Sequence, residues 1–287
     1  MNKHRTLSLA YSTCPNDTYI FHGLAYKLIN TYGFDFHISL ADVETLNQNA
    51  EKSIFDITKL SFAAFGNLRD RYALLRTGAA IGRGCGPLVI SIPGEKVDAK
   101  KSPKIAVPGL GTTAYLLFRF FLEDLYPGVI PEIIPMGFDK IMPSVKQKKT
   151  DFGVIIHEGR FVYNQMGLEC LADLGNWWEA KTSLPIPLGC IAVKRDMDEK
   201  TASSIQSMIA ESIDYASKHP LAGTNYIKRY AKELDDGVIN EHIRLYVNNF
   251  SKDIGEKGEE AIKTFLDKGE KTGLVSCNKN PLFACPR

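Results

Sequence analysis

The sequence predicts an α/β protein of two lobes, and three features lead to that expectation. Strand-like apolar runs alternate with amphipathic helical runs along most of the 287 residues, the mark of βαβ units on largely parallel sheets. Two long β-runs bounded by proline, residues 87–93 and 187–195, bracket a segment with an α/β pattern of its own. Several strand-like runs end in small or polar residues, where open α/β sheets bind their ligands. A chain that leaves one lobe, builds a second and returns has this pattern, with a central ligand cleft between lobes that hinge strands let close. The expected division is residues 1–90 with 191–287 in a large discontinuous lobe, and residues 91–190 in a smaller one.

The elements follow in order. Residues 7–12, LSLAYS, form a strand that breaks at CPNDT and resumes as a helix over residues 18–31. Residues 34–40 are the next strand, VETLNQNAEKSI a short helix, FDITKLS a strand and FAAFGNL a helix. The glycine-rich LLRTGAAIGRGCGPLVISIPG closes on a β-run at residues 88–92, expected to carry the chain between lobes, as are residues 188–193 on its return. After the polar linker EKVDAKKSP, residues 104–107 are a strand, PGLGTT a loop and AYLLFRFFLEDL a helix with apolar residues at helical spacing. EIIPM reads as a strand, FDKIMPSVKQKK as a helix and DFGVIIHEGRF as a strand with a polar end; SLPIPLGCIAVKR is the second long β-run. From Asp198 the chain is mainly helical, and its last residues, SCNKNPLFACPR, read as irregular and partly mobile.

Composition narrows the function. Hydrophobic residues make up 44% of the chain, enough for a full core. A net charge of +2 argues against nucleic acid or an anionic membrane as the main partner. The start, MNKHR, leads at once into a strand with polar Ser8 and Ser12 and has no apolar leader segment. No run is long enough to cross a bilayer, so a cytoplasmic protein is expected. Cys14, Cys85, Cys170, Cys190, Cys277 and Cys285 are scattered without a C-x-x-C pair, which points to reduced, mostly buried thiols and no metal site.

Four strand ends carry the candidate chemistry. In Gly109-Leu110-Gly111-Thr112-Thr113, glycines admit close backbone approach and the following helix start favours an anion, with two hydroxyls as further donors. A plain turn with a threonine cap has the same sequence. The loop lacks the lysine of a phosphate-binding loop and the spacing of a dinucleotide fingerprint. Lys59-Leu60-Ser61 ends a strand with a cation and a hydroxyl, or with a solvated lysine and a cap. Asn16-Asp17-Thr18 is either a ligand contact or a helix cap. His157 follows the apolar FGVII, where a side chain that titrates near neutrality can act as a general base; a histidine with no chemical role also fits. Arg83 belongs to IGRGCGPLV, which reads equally as a cleft contact or a glycine hinge, and Trp177 and Trp178 read as packing.

Taken in order, STCPNDTYIFHGL, KLSFAAFG, GRGCGPLV, VPGLGTTAYLL, GVIIHEGRF and LPIPLGCIAVKRD closely resemble the 1,4-dihydroxy-6-naphthoate synthase family of the futalosine route to menaquinone. The resemblance spans about residues 8–196, and the tail departs from it. It implies a type II periplasmic-binding-protein-like fold used as a cytoplasmic lyase. The implied reaction converts cyclic dehypoxanthinyl futalosine to 1,4-dihydroxy-6-naphthoate, and the lack of a zinc-ligand cluster and of Rossmann or P-loop spacing predicts that it uses no metal or organic cofactor. It gives His157 the role of proton acceptor, with substrate contacts at Lys59, Leu60, Ser61, Thr112 and Thr113. Asn16, Gly111 and Arg83 are carried as further contacts, and Glu158 as the reserve base, although strand alternation is expected to point it away. His22 lies in the first helix, and His4, His37, His219 and His242 are expected away from the matched motifs. Chorismate dehydratase, a lyase of the same route and fold, and a non-catalytic carboxylate-binding protein are the alternatives.

Overall fold

Apolar runs become strands and the polar breaks between them become turns. The computed structural model describes residues 5–97, 102–231 and 235–286. In order come β1 (Arg5–Ser12), α1 (Pro15–Ala25), β2 (Phe34–Ala41), α2 (Val43–Glu51), β3 (Ile57–Ser61), α3 (Phe62–Asn67), β4 (Tyr72–Leu74) and β5 (Ala80–Gly82). Next are β6 (Leu88–Ser91), β7 (Lys104–Val107), α4 (Thr113–Leu125), β8 (Glu132–Pro135), α5 (Phe138–Lys146) and β9 (Phe152–Ile155). A short helix α6 (Gly159–Val162), a 3₁₀ turn (Tyr163–Met166), β10 (Glu169–Asp173), α7 (Leu174–Thr182) and β11 (Ile186–Lys194) follow. The chain ends in α8 (Glu199–Lys218), α9 (Thr224–Tyr230), α10 (Asp236–Tyr246), α11 (Asn249–Lys252) and α12 (Gly255–Lys271). Among the described residues no helix is long and apolar enough to cross a membrane.

Two compact units result: Met1–Gly82 with Pro187–Arg287, and Arg83–Ile186. The sheet of the first runs β2-β1-β3-β11-β4, with β5 also paired to β11. The sheet of the second runs β10-β6-β9-β7-β8. Each has a parallel part and an antiparallel part. β11 lies antiparallel between β3 and β4, and β6 lies antiparallel to both β9 and β10, so the expectation of largely parallel sheets is corrected to mixed ones. The boundaries differ from those expected at 90 and 190, because β6 is hydrogen-bonded wholly inside the second sheet. The passages between units fall at Gly82/Arg83 and Ile186/Pro187.

Each unit has its own core. Leu9, Tyr11, Phe21, Ile191, Val193, Ile205 and Ile209 close the first; Leu88, Ile90, Ala106, Ile141, Val145 and Ile155 close the second. Fully burying one such side chain contributes about 1.5–3 kcal/mol. β3 is buried at all five positions, as suits a central strand covered on both faces. Local chemistry sets the helix starts, with Asp42, Asp173 and Asp198 each accepting first-turn N–H groups of α2, α7 and α8.

The C-terminal residues correct another expectation. They are irregular but docked: Leu74 N–H donates to Leu282 O at 2.8 Å and Ala284 N–H donates to Leu74 O at 2.9 Å, so Phe283 bridges to the edge of β4. Residues 1–4 of the N-terminal stretch and residues 98–101 of the polar linker lie outside the described residues.

Candidate active site

β1 and β3 are parallel neighbours, with Leu9 opposite Ile57 and Ala10 opposite Thr58. Their carboxyl ends therefore emerge on one edge of the first sheet, where such sheets bind ligands. At that edge stands a buried polar network centred on Asp17. Its Oδ1 accepts from Lys59 Nζ at 2.7 Å and Asn16 Nδ2 at 2.8 Å. Its Oδ2 accepts from Ser12 Oγ at 2.6 Å and Ser12 N at 3.2 Å. Lys59 is buried within β3, not solvated, and its Nζ also lies 3.4 Å from Gly78 O. Removing one partner of a buried pair like this costs about 3–5 kcal/mol, because it strands the other charge.

The cap alternative for Asn16-Asp17-Thr18 is thereby settled locally. The N-cap of α1 is Cys14, without a side-chain bond, and Pro15 occupies the first turn. Asp17 turns back to the strand end instead of capping the helix.

Further along the same edge, Ser61 is read twice by Asn47 of α2: its N–H donates to Asn47 Oδ1 at 3.0 Å, and its Oγ accepts from Asn47 Nδ2 at 3.2 Å. It makes no side-chain cap bond to α3. Leu60 puts its side chain into the core, fully buried, and its carbonyl accepts from Cys190 Sγ. Burial pushes the Cys190 thiol up. Gly189, opposite Ser61 on β11, makes room for the lysine: a Cβ there would lie 3.1 Å from Lys59 Cε and 3.2 Å from Leu60 O.

In the second unit β7 and β9 are parallel neighbours, with Ile105 opposite Phe152 and Ala106 opposite Gly153. Their carboxyl ends lead into the 109–113 turn and into His157, again on one sheet edge. Gly109 has φ of 137°, which suits glycine alone. Thr112 is the N-cap of α4: its Oγ1 accepts from Tyr115 N at 3.2 Å and donates to Gly109 O at 2.8 Å. Thr113 opens the helix and is buried, so the turn directs the positive end of a 13-residue helix to this edge.

His157 lies two residues beyond β9, half-buried, with φ of 56° and its ring edge-on to Phe138 at 5.2 Å. A left-handed non-glycine residue is kept only where its surroundings hold it, and such residues cluster at functional sites. Glu158 is the N-cap of α6 in a right-handed turn conformation, so strand alternation does not govern where it points. Arg160 anchors the segment through Gly86 O at 2.6 Å and Asp173 Oδ2 at 3.1 Å.

Arg83 is engaged inside the second unit. It pairs with Glu179 of α7 at 3.0 Å and donates to Ser183 O at 2.7 Å, while Gly84 N–H donates to the other Glu179 oxygen. This arrangement clamps the 83–84 turn to α7. Trp178 is buried and donates to Pro185 O, and Trp177 reaches Asp124 of α4, so both pack as expected.

Two residues hold places in the site that the sequence did not assign. Asn16-Asp17-Thr18 reads as a ligand contact or a cap, and the buried ion pair of Asp17 with Lys59 belongs to neither reading. His242, expected away from the motifs, is fully buried in α10 with Nε2 3.0 Å from Asn16 Oδ1. No local pattern reports a pairing between positions so far apart.

The chain is similar to known proteins in family and in fold. A family model described as menaquinone biosynthesis matches residues 7–271. A Thermus thermophilus protein named 1,4-dihydroxy-6-naphtoate synthase is 40% identical over 277 residues, covering 96% of this chain and 98% of that one. A Streptomyces coelicolor protein of the same name is 41% identical over 272 residues, covering 94% and 95%. The periplasmic aliphatic sulphonate binding protein of Escherichia coli shares the fold, with a TM-score of 0.64 at 12% identity over 97% of this chain and 90% of that one.

Proposed function

The chain belongs to the menaquinone biosynthesis family, and from that premise we propose that it is a lyase which converts cyclic dehypoxanthinyl futalosine to 1,4-dihydroxy-6-naphthoate. The observation that carries the proposal is identity of 40% and 41% with two relatives of one name, sustained over nearly the whole chain. The fold alone would suit a binding protein equally well.

His157 is the proton acceptor in this reading. A neutral imidazole takes a proton from a substrate hydroxyl or carbon acid and starts the collapse of the cyclic adduct. Aromatisation of the new ring then drives release of the sugar-derived fragment. Proton transfer is all this elimination asks of a side chain, so no metal or organic cofactor enters the scheme.

The substrate carboxylate docks on the 109–113 turn, where the positive end of α4, capped by Thr112 and opened by Thr113, favours an anion. Losing one hydrogen bond to a charged group there costs about 1.5–3 kcal/mol. The family resemblance makes Lys59 and Ser61 further substrate contacts, and the reaction is cytoplasmic.

Incubating the purified protein with cyclic dehypoxanthinyl futalosine tests the proposal, with the naphthoate followed by absorbance and mass. Product at a rate proportional to enzyme is the expected result. Substrate that binds and is recovered unchanged would make the protein a carboxylate-binding module instead.

A further inference from the structure

Asp17 draws its donors from three segments, and a fourth reaches it at one remove. Asn16 donates through Nδ2 to Asp17 Oδ1, which leaves its Oδ1 to accept. The 3.0 Å contact from His242 Nε2 is therefore a donation, and it assigns the ring the tautomer with the proton on Nε2. Reversing the Asn16 amide would set its oxygen against the Asp17 carboxylate, and the imidazole N–H makes that reversal unfavourable. Lys59 has three N–H donors; one is aimed at Asp17 and one at Gly78 O. The remaining one is directed to a substrate oxygen in the function proposed above, on which this inference rests.

We propose that His242 is a positioning residue, which fixes the amide of Asn16 and, through Asp17, the ammonium of Lys59 for substrate binding. Asn16, Asp17, Lys59 and His242 are all buried, so none can exchange a lost partner for bulk water. The contribution therefore passes along the chain of bonds. Because Lys59 is given a binding role and not the proton transfer, removing His242 acts on KM and leaves kcat nearly intact.

The test compares His242→Leu, His242→Gln and Lys59→Met, with the His242→Leu/Lys59→Met double variant. Glutamine can place an amide N–H near the position of imidazole Nε2. His242→Leu is expected to raise KM about tenfold with kcat changed less than about threefold, and His242→Gln to recover most of that loss. In the Lys59→Met background the leucine change is expected to add nothing further. Unchanged KM in His242→Leu, glutamine no better than leucine, or an undiminished effect without Lys59 would each overturn the proposal.

A readout without substrate separates this inference from the assigned reaction. The side-chain ¹⁵N resonance of Lys59 is expected to shift in His242→Leu and to return in His242→Gln. An unmoved resonance overturns the positioning role, whereas failure of the wild type to consume substrate counts against the assigned reaction alone.

Discussion

His157 carries the sharpest single-residue expectation because its backbone and its side chain can be separated. Asparagine tolerates the left-handed conformation seen at φ of 56° better than most residues, so His157→Asn keeps the turn and deletes the base. Turnover is expected to fall about 10²- to 10⁴-fold with product affinity retained, measured by steady-state kinetics and calorimetric titration. Near-normal turnover would place the base elsewhere, and lost affinity would make His157 a contact only. Asp17 shows the opposite case. An acidic residue in the first turn of a helix is favourable for the helix dipole alone, and the same residue here gathers Lys59, Asn16 and Ser12. Its type was readable in the sequence, while its partners depended on where β3 lies.

The C-terminal segment acts as a cover strip on a sheet edge. An unpaired edge strand offers its N–H and C=O groups to any neighbouring chain, and Phe283 bridges to Leu74 on the edge of β4. The Arg76 guanidinium lies 3.8 Å above the Phe283 ring, and Arg69 and Arg195 donate to the carbonyls of Asn280 and Pro281 at 2.7 and 3.0 Å. Deleting residues 277–287 removes both charged hydrogen bonds. At about 1.5–3 kcal/mol each, the melting temperature is expected to fall by about 5–10 °C, followed by circular dichroism. A truncated chain that melts like the full one would show that the strip is dispensable. The segment has no period, and it could be read as docked only once Leu74 was known to form an edge.

The two units differ in how the chain builds them. Every strand of the second sheet comes from the continuous segment Arg83–Ile186, which also supplies its own core. The first sheet needs β11 between β3 and β4, so it requires strands from before and after that segment. Residues 83–186 expressed alone are therefore expected to fold with a cooperative thermal transition. Trp177 and Trp178 are the only tryptophans of the sequence and both lie in this segment, with Trp178 fully buried. Intrinsic fluorescence thus reports the second unit by itself, and a segment with the emission of exposed tryptophan and no cooperative transition would refute its autonomy.

What the sequence determined by itself is what local patterns encode. β7 at Lys104–Val107, the amphipathic α4 and the helical C-terminal part are where periodicity places them, and six ordered motifs identified a family that near-full-length identity supports. Residues 169–182 carry no such pattern, and β10 and α7 there were not legible. Tertiary structure alone decided which sheet β6 joins, because an apolar run is equally content beside any strand that hydrogen-bonds it. It also decided that a histidine 226 positions away completes the polar cluster at Asn16. Hydrogen bonds and burial depend on distance in space, and the sequence records only distance along the chain.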